Sequence, residues 1–220
     1  MTFVMYQENL RDVFNRTKNI IGKKGTVRPC FEEIHFIASP NGLLAEATEG
    51  HKLCTMAYNL ETAPKKYCDF SVEPFAVPKA PNDKPLHPAE VTINEDTVDF
   101  KFPATGDMKA IKRLSGDFLD VAAALPVNDP DLQINLNADY LMDAIKATKP
   151  ERWERKPVTL NIFGKNPLAI CTLSCGTRCC MVLPVRPKNS SNGQMYDNPL
   201  DIINVSRRID TENRKAKKEN

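Results

Sequence analysis

Apolar residues recur at helical spacing in two parts of the chain. In residues 9–21 they lie three, four or seven positions apart, at Leu10, Val13, Phe14, Ile20 and Ile21. This spacing predicts an amphipathic helix. A second helix is predicted after Asn137, a residue type that caps helices, and its end is predicted where Lys149 meets Pro150. Its apolar face would consist of Leu141, Ala144, Ile145 and Thr148.

Short β-rich runs follow each helix. The run "FEEIHFIASPNGLLAEATEG" predicts two strands joined by a turn at "SPNG", and "VTINEDTVDFKF" alternates apolar and polar residues as a hairpin does. Three further runs, "PVTLNIF", "PLAICTLS" and "RCCMVLPV", predict strands after the second helix. The chain therefore repeats an order of one helix followed by a strand meander.

The segment before the "VTINEDTVDFKF" hairpin is rich in proline and predicts no helix. It carries Pro74, Pro78, Pro81, Pro85 and Pro88, and each interior proline costs a helix about 3 kcal/mol. We expect an ordered, extended connector in its place. Residues 188–220 are polar and charged, which predicts a C-terminal extension with a short helix at 202–209 and a mobile tail.

Composition narrows the class of protein. The chain has 220 residues, 41% of them hydrophobic, and a formal net charge of only +2, so any charged partner must meet a local patch. No apolar run is long enough to cross a membrane, and the first residues lack the layout of a signal peptide. We therefore expect a cytoplasmic protein without a membrane partner.

The side chains that carry chemistry form no catalytic set. Only three histidines are present, His35, His51 and His87, and no nucleophile motif or phosphate-binding glycine loop accompanies them. The run "CTLSCGTRCC" has the ligand type for zinc, but its spacing is irregular, and core packing of small thiols is the favoured interpretation. We expect no enzyme activity, no metal and no cofactor.

The stretches "ATEGHKL", "RLSGDFLDVAAALP" and "NADYLMDAIKA" with "CCMVLPVRP" together resemble one family, the β subunit of bacterial DNA polymerase III or sliding clamp. "ATEGHKL" resembles the family's "ATDGHRL" loop, and "RLSGDFLDVAAALP" resembles its linker "RLIDGKFPDYRRVLP". "NADYLMDAIKA" with "CCMVLPVRP" resembles the family's last helix and its "YVVMPMRL" terminus. The three stretches also follow the family's order along the chain.

The resemblance implies an α+β fold, the DNA clamp or processivity fold. Its helix-plus-β-meander modules place helices on one face of curved antiparallel sheets, and in the family twelve modules close into a ring around duplex DNA. Residues 1–127 would form a clamp domain of two modules, the second with its helix replaced by the proline-rich connector. Residues 128–187 would form a third module. Four copies of a three-module chain would supply twelve modules, and two or three copies remain possible if the geometry differs.

The resemblance also implies sites. A hydrophobic pocket for peptides of the DNA polymerase and the clamp loader would be built from Thr48, Gly50, His51, Lys52, Leu53, Leu119, Ala124, Asn137, Tyr140, Met181, Val182, Leu183, Pro184, Val185 and Arg186. Sequence-independent contacts to duplex DNA would come from Arg11, Arg16, Lys18, Lys146 and Lys149. Each basic residue can instead belong to an ordinary solvated helix face, and His51 alone can be a satisfied histidine at a strand end.

Departures from the family keep a second function open. Leu119, Val121 and Ala123 stand where the family's linker has Pro, Tyr and Arg, and only "VNDPDLQINL" separates the linker from the second helix. The expected function is a ring-forming, homo-oligomeric processivity factor for DNA replication. The alternative is a clamp-like interaction protein that forms no ring and binds or competes for clamp-binding peptides.

Overall fold

The computed structural model describes residues 1–22, 24–25, 28–83, 85–114, 118–119, 121, 134, 136–150, 158–163, 170–175 and 178–183. These residues fall into two units, the first ending with the described residue Val121 and the second beginning with Ile134. The predicted boundary between 127 and 128 and the predicted extension 188–220, with its helix at 202–209, lie outside the described residues.

The described residues of unit 1 form eight strands and one helix of several turns. Its elements are β1 (Thr2–Tyr6), α1 (Gln7–Thr17), β2 (Ile34–Ser39), β3 (Gly42–Thr48), β4 (Leu53–Tyr58), β5 (Cys68–Val72), β6 (Pro88–Ile93), β7 (Thr97–Phe102) and β8 (Asp107–Lys112), with a 3-10 turn at Pro29–Phe31. The predicted hairpins at "SPNG" and "VTINEDTVDFKF" are confirmed as β2–β3 and β6–β7.

The strands of unit 1 form two antiparallel four-stranded sheets of related topology. One has the order β4-β3-β2-β5 and the other the order β1-β6-β7-β8. In each sheet, three consecutive strands are completed by a strand from elsewhere: β5 pairs with β2, and β1 pairs with β6. Unit 1 therefore consists of two halves, β1 to β4 with α1 and β5 to β8. Each half contributes one strand to the sheet of the other.

The core of unit 1 lies between α1 and the inner faces of both sheets. Phe36 on β2 stacks against Phe70 on β5 with ring centroids 5.1 Å apart, and Phe3 on β1 lies 6.2 Å from the same ring. All three side chains are buried. Alternation on β1 and β7 delivers further apolar residues to this core, because successive strand residues point to opposite faces.

The proline-rich segment between β5 and β6 forms no helix in its described residues, as predicted. Instead, Phe75 inserts between α1 and the β1-β6-β7-β8 sheet. Its ring centroid lies 5.0 Å from that of Phe14 and 4.9 Å from that of Phe100. The carbonyl of Pro78 accepts a 2.7 Å hydrogen bond from the Gln7 side chain, and the Arg11 guanidinium also donates to it. An extended connector thus covers part of the core that the prolines prevent a second helix from covering.

Helix α1 ends earlier than its apolar pattern predicts. It stops at Thr17, and the backbone N–H groups of Ile20 and Ile21 turn back to the Thr17 carbonyl at 2.7 and 3.0 Å. Both isoleucines still pack against the core. The tight turn places both isoleucines on the same apolar surface as the helix. Their spacing in the sequence therefore resembled that of one more turn of helix.

In the part of unit 2 that the structure describes there are one helix and three strands: α2 (Ala138–Thr148), β9 (Thr159–Phe163), β10 (Ile170–Cys175) and β11 (Arg178–Val182). The strands pair antiparallel in the order β11-β10-β9. All four elements were predicted, and Asn137 caps α2 by accepting bonds from the backbone N–H groups of Asp139 (2.9 Å) and Tyr140 (3.3 Å). Ala144 and Val182 form a small buried cluster between helix and sheet.

Candidate functional site

The loop between β3 and β4 is a tight turn held by Thr48. The Thr48 hydroxyl donates to the Lys52 carbonyl at 2.8 Å and accepts from the Gly50 N–H at 3.0 Å. Gly50 has a φ of +94°, and a Cβ there would lie 3.2 Å from the Phe31 ring. The motif "ATEGHKL" therefore encodes a defined loop, in which Thr48 and Gly50 shape the backbone.

The side chains that this loop presents to solvent are fewer than predicted. Thr48 is buried, so its contribution to a binding surface is indirect. His51 and Leu53 are exposed. Lys52 is also exposed, but its Nζ reaches the Asn19 carbonyl and the Glu49 carboxylate, each at 2.8 Å. This lysine ties the loop to the segment that follows α1.

Part of the linker after β8 lies against the outer face of the β4-β3-β2-β5 sheet. The Phe118 ring stacks on His35, with centroids 4.7 Å apart and planes 8° from parallel. His35 Nδ1 lies 3.0 Å from the Ser71 hydroxyl. Leu119 is exposed and Val121 is buried, whereas the predicted pocket residue Ala124 lies outside the described residues. Among the described residues of unit 1, the predicted pocket residues that expose an apolar or aromatic side chain to solvent are thus His51, Leu53 and Leu119.

Strand β11 places its predicted pocket residues on opposite faces. Val182 is only 3% exposed and packs towards α2, as Cys180 does in part. Met181 and Leu183 are exposed, as alternation along a strand requires. Of these two neighbours, Leu183 therefore offers exposed apolar surface to a peptide, whereas Val182 does not. Pro184, Val185 and Arg186 lie outside the described residues.

Two predicted pocket residues at the start of α2 have different roles. The Asn137 side chain is occupied by capping the helix, which satisfies backbone donors that a helix start leaves unpaired. Tyr140, one turn further on, has an exposed ring. In unit 2, the predicted peptide contacts with free surface are Tyr140, Met181 and Leu183.

The basic residues of α1 are mostly paired within unit 1. Arg11 is half-buried and bonds to the connector at Pro78, so it positions the connector. Arg16 pairs with Asp12 at 2.8 Å, and Asp12 also accepts a 2.9 Å bond from the Tyr58 hydroxyl. Lys18, just beyond the helix, is exposed. The prediction missed that the acids Glu8 and Asp12 balance Arg11 and Arg16 within the helix.

Helix α2 is net acidic over its length. It carries Asp139 and Asp143 in its first half and Lys146 in its last turn, and Lys149 follows its end. Lys146 lies 3.2 Å from Asp143, and both side chains are highly exposed. The positive face predicted for this helix is therefore confined to its C-terminal end.

An ionic cluster around a buried histidine at the end of the connector was not predicted from the sequence. His87 is almost fully buried, with Nδ1 2.7 Å from Glu8 Oε1 and Nε2 2.8 Å from Asp83 Oδ1. Hydrogen bonds to Asp83 and then to Glu8 raise the pKa of His87. Burial favours a raised pKa for Glu8, but its hydrogen bonds with His87 outweigh burial and lower that pKa. The cluster fastens the connector to the start of α1.

The described side chains form no cluster of His, Cys, Asp or Glu suited to a metal ion. Cys179 is exposed and Cys180 is half-buried, so the predicted core packing of the cysteine-rich run is wrong for Cys179. Burial raises the pKa of the Cys68 thiol on β5 to about 11, which leaves it a poor nucleophile. Among the described helices, none is long and apolar enough to span a membrane.

Solved structures share this architecture. Sliding clamps from Bacillus subtilis and Pseudomonas aeruginosa, the latter with a ligand, each superimpose with a TM-score of 0.64, at 18% and 16% identity over 83% and 84% of this chain. A Helicobacter pylori β clamp bound to a DNA ligase peptide gives a TM-score of 0.57 at 14% identity over 83% of this chain. The chain has the fold of the bacterial sliding clamps.

The clamp fold is matched in part of each clamp's length. The chain spans 48% of the B. subtilis clamp and 51% of the P. aeruginosa and H. pylori clamps, about half of each. No protein-family profile and no curated protein sequence matches it. At these identities the likeness establishes the fold, and function must be argued from the chain's own residues.

Proposed function

We propose that the chain is a subunit of a homo-oligomeric sliding clamp, a non-enzymatic processivity factor that encircles duplex DNA in the cytoplasm. The observation that carries the proposal is the two-sheet clamp domain of unit 1 together with a further clamp-like module in unit 2. In unit 1, the edge strands β4 and β8 have no partner strand among the described residues. Unpaired edge strands can pair with strands of a neighbouring subunit, which is how sheets would join into a ring.

The proposed DNA contact is sequence-independent and rests on the end of α1. Lys18 is exposed, and Arg16 beside it offers donors that its pair with Asp12 leaves unused. Lysine and arginine contacts to phosphate release counterions, so the affinity should fall steeply with salt. Asp139 and Asp143 on α2 oppose such a role for Lys146 and Lys149, so the proposal does not depend on that helix.

The proposed peptide contacts, taken for each unit by itself, use exposed apolar side chains together with polar ones. On unit 1 these are Leu53 and Leu119 with His51, and on unit 2 Met181 and Leu183 with Tyr140. Apolar anchors with nearby hydrogen-bonding groups are typical of peptide sites. A similar clamp from H. pylori is bound to a DNA ligase peptide, which supports this class of partner.

The decisive experiment for the ring uses circular DNA. The chain, loaded on a nicked circle by a cognate clamp loader, should stay bound at high salt and dissociate when the circle is cut. Only a protein that encircles DNA behaves in this way. Dissociation at the same rate from circular and linear DNA would refute the proposal that the protein forms a ring around DNA.

Peptide binding is tested by reversing apolar character on each unit separately. Leu53→Asp and Leu183→Asp should each weaken binding of a DNA ligase clamp-binding peptide at least about tenfold, which corresponds to 1.4 kcal/mol, because a charge enters an apolar contact. Leu86→Asp, an exposed leucine of the connector, is the matched control. Wild-type affinity in both test variants would refute the proposed contacts.

A second candidate function is a clamp-like protein that forms no ring and competes for clamp-binding peptides. The observation that favours it is the charge balance of the helices, because α1 carries equal numbers of acids and bases and α2 is net acidic. Peptide binding without any topological retention on circular DNA would select this function over the first.

A further inference from the structure

The module of unit 2 repeats one half of unit 1, but no second half is present among its described residues. In unit 1, α1 is followed by β2, β3 and β4, and the other edge of β2 pairs with β5. In unit 2, α2 is followed by β9, β10 and β11 in the same order. Among the described residues, β9 pairs with β10 alone. None of the described residues of unit 2 pairs with the edge that β5 covers in unit 1.

The open strand also carries uncovered apolar side chains. The strand register aligns Leu160 with Cys180, and Ile162 with Val182, across β10. Cross-strand partners share one face of a sheet, so both residues lie on the face that packs against α2. The helix lies over β11 and β10, and Leu160 and Ile162 remain 50% and 44% exposed.

Helix α2 adds a second uncovered apolar surface on the same side of the sheet. Met142 and Ile145 are 49% and 42% exposed and lie three residues apart, which makes them neighbours on one flank of the helix. In unit 1, side chains of the other half and of the connector cover the corresponding core. A helix–sheet module of this size leaves its apolar surface in water unless another element packs on it.

The charges on the same helix identify the partner. Asp139 and Asp143 lie on its first half, and Lys146 and Lys149 at its C-terminal end, with Met142 and Ile145 between. When two such helices meet antiparallel about a twofold axis, the acids of one face the bases of the other. The internal ion pair of Lys146 with Asp143 is exposed and weak enough to be exchanged.

We propose that unit 2 pairs with unit 2 of a second copy of this chain about a twofold axis. The pairing buries Leu160, Ile162, Met142 and Ile145 of both copies and joins the acidic half of each α2 to the basic end of the other. An interface of this type is self-complementary, as twofold contacts must be. It reproduces between two chains the relation that the two halves of unit 1 have within one chain, and it requires neither DNA nor peptide.

The test measures the mass of the full chain by sedimentation without DNA or peptide. The wild type should be a dimer or a larger even assembly at micromolar concentration. Ile145→Glu and Leu160→Glu should each raise the dissociation constant of the pair at least tenfold, so that the average mass falls towards half. Leu86→Glu in the connector is the matched control and should leave the mass unchanged.

A charge exchange separates loss of the interface from loss of folding. Lys146→Asp with Lys149→Asp should weaken the pair, and adding Asp139→Lys with Asp143→Lys should restore it, because the exchanged helix is again self-complementary. A monomeric wild type, in which another segment of the chain or a different partner covers the surface, would overturn the proposal. So would an unchanged mass in the glutamate variants, or a failure of the fourfold exchange to restore the pair.

Discussion

Units 1 and 2 use the same module and cover it differently. In unit 1, the sheet that follows α1 is completed by β5 and shares its core with a second sheet, so Phe36 and Phe70 are buried on its inner face. In unit 2, the sheet that follows α2 has three described strands, and Leu160 and Ile162 on β9 remain exposed. The comparison teaches that one helix and three strands do not close a core by themselves.

The cover need not be a helix. The connector of unit 1 contains five prolines between residues 74 and 88, yet Phe75 reaches both α1 and β7. An aromatic side chain can remove about 150 to 250 Å² of surface from water. What the clamp module requires at this position is apolar contact, and the regularity of the backbone is secondary.

The largest expected effect comes from emptying the core that the two halves of unit 1 share. Phe36→Ala should destabilise unit 1 by about 3 to 5 kcal/mol, because Phe36 is fully buried and contacts rings of α1 and β5. Denaturant unfolding of the full chain, with hydrogen exchange read for each unit, measures the change. Protection in α2 and β11 should be unaffected, and an equal loss there would mean that the units do not unfold separately.

The connector offers a direct test of the idea that it covers the core in place of a helix. Phe75→Ala should cost about 2 kcal/mol, less than Phe36→Ala because Phe75 is only partly buried. Phe75→Leu should recover part of the loss, since it restores apolar contact without the ring. Hydrogen exchange of α1 is the measurement, and a fully protected α1 in the alanine variant would contradict the role of the connector.

A smaller effect is expected in unit 2 at the start of its helix. Asn137→Ala should destabilise α2 by about 1 kcal/mol, because it removes the acceptor for the N–H groups of Asp139 and Tyr140. Asn137→Asp keeps that acceptor and serves as the matched variant. Amide exchange in α2 should accelerate in the alanine variant alone, with unit 1 unchanged.

The smallest effect depends on pH and concerns the tether between connector and α1. The pKa of His87 is raised above its ordinary 6.5, so its stabilisation is complete below about pH 6.5 and is lost as the pH rises through the raised value. The pKa of Glu8 is lowered from 4.5, so its contribution is present above that value and is lost as the pH falls below it. Stability of unit 1 should therefore be greatest between these limits.

The variant His87→Gln tests this tether. It removes the titrating ring and keeps a polar side chain, so the decline in unfolding free energy above pH 6.5 should disappear. Asp83 is largely exposed, which keeps the whole effect modest because water screens its charge. A decline of the same size in the variant would assign the pH dependence to other groups.

Much of the local structure was predictable, because the signals lie next to the structures that they specify. The cap at Asn137, the turn at "SPNG" and the absence of a helix among the prolines all depend on backbone preferences of a few residues. β8 was missed because it lies at a sheet edge, where an apolar–polar alternation is not required. Only Ile111 of this strand is half-buried, and its other residues are exposed. β1 was missed although Phe3 and Met5 alternate with exposed or half-buried neighbours.

The sequence by itself determined both helices and the hairpins at "SPNG" and "VTINEDTVDFKF", whereas only the tertiary structure decided which residues remain exposed for binding. Val182 faces the core and Leu183 the solvent, because α2 covers one face of β11. Arg11 and His87 are held by partners 67 and 79 residues away in the chain. Local preferences act over a few residues, but burial and ion pairing depend on segments that meet only after folding. For that reason the family resemblance proposed the candidate surfaces, and only the packing showed which of their described side chains are exposed.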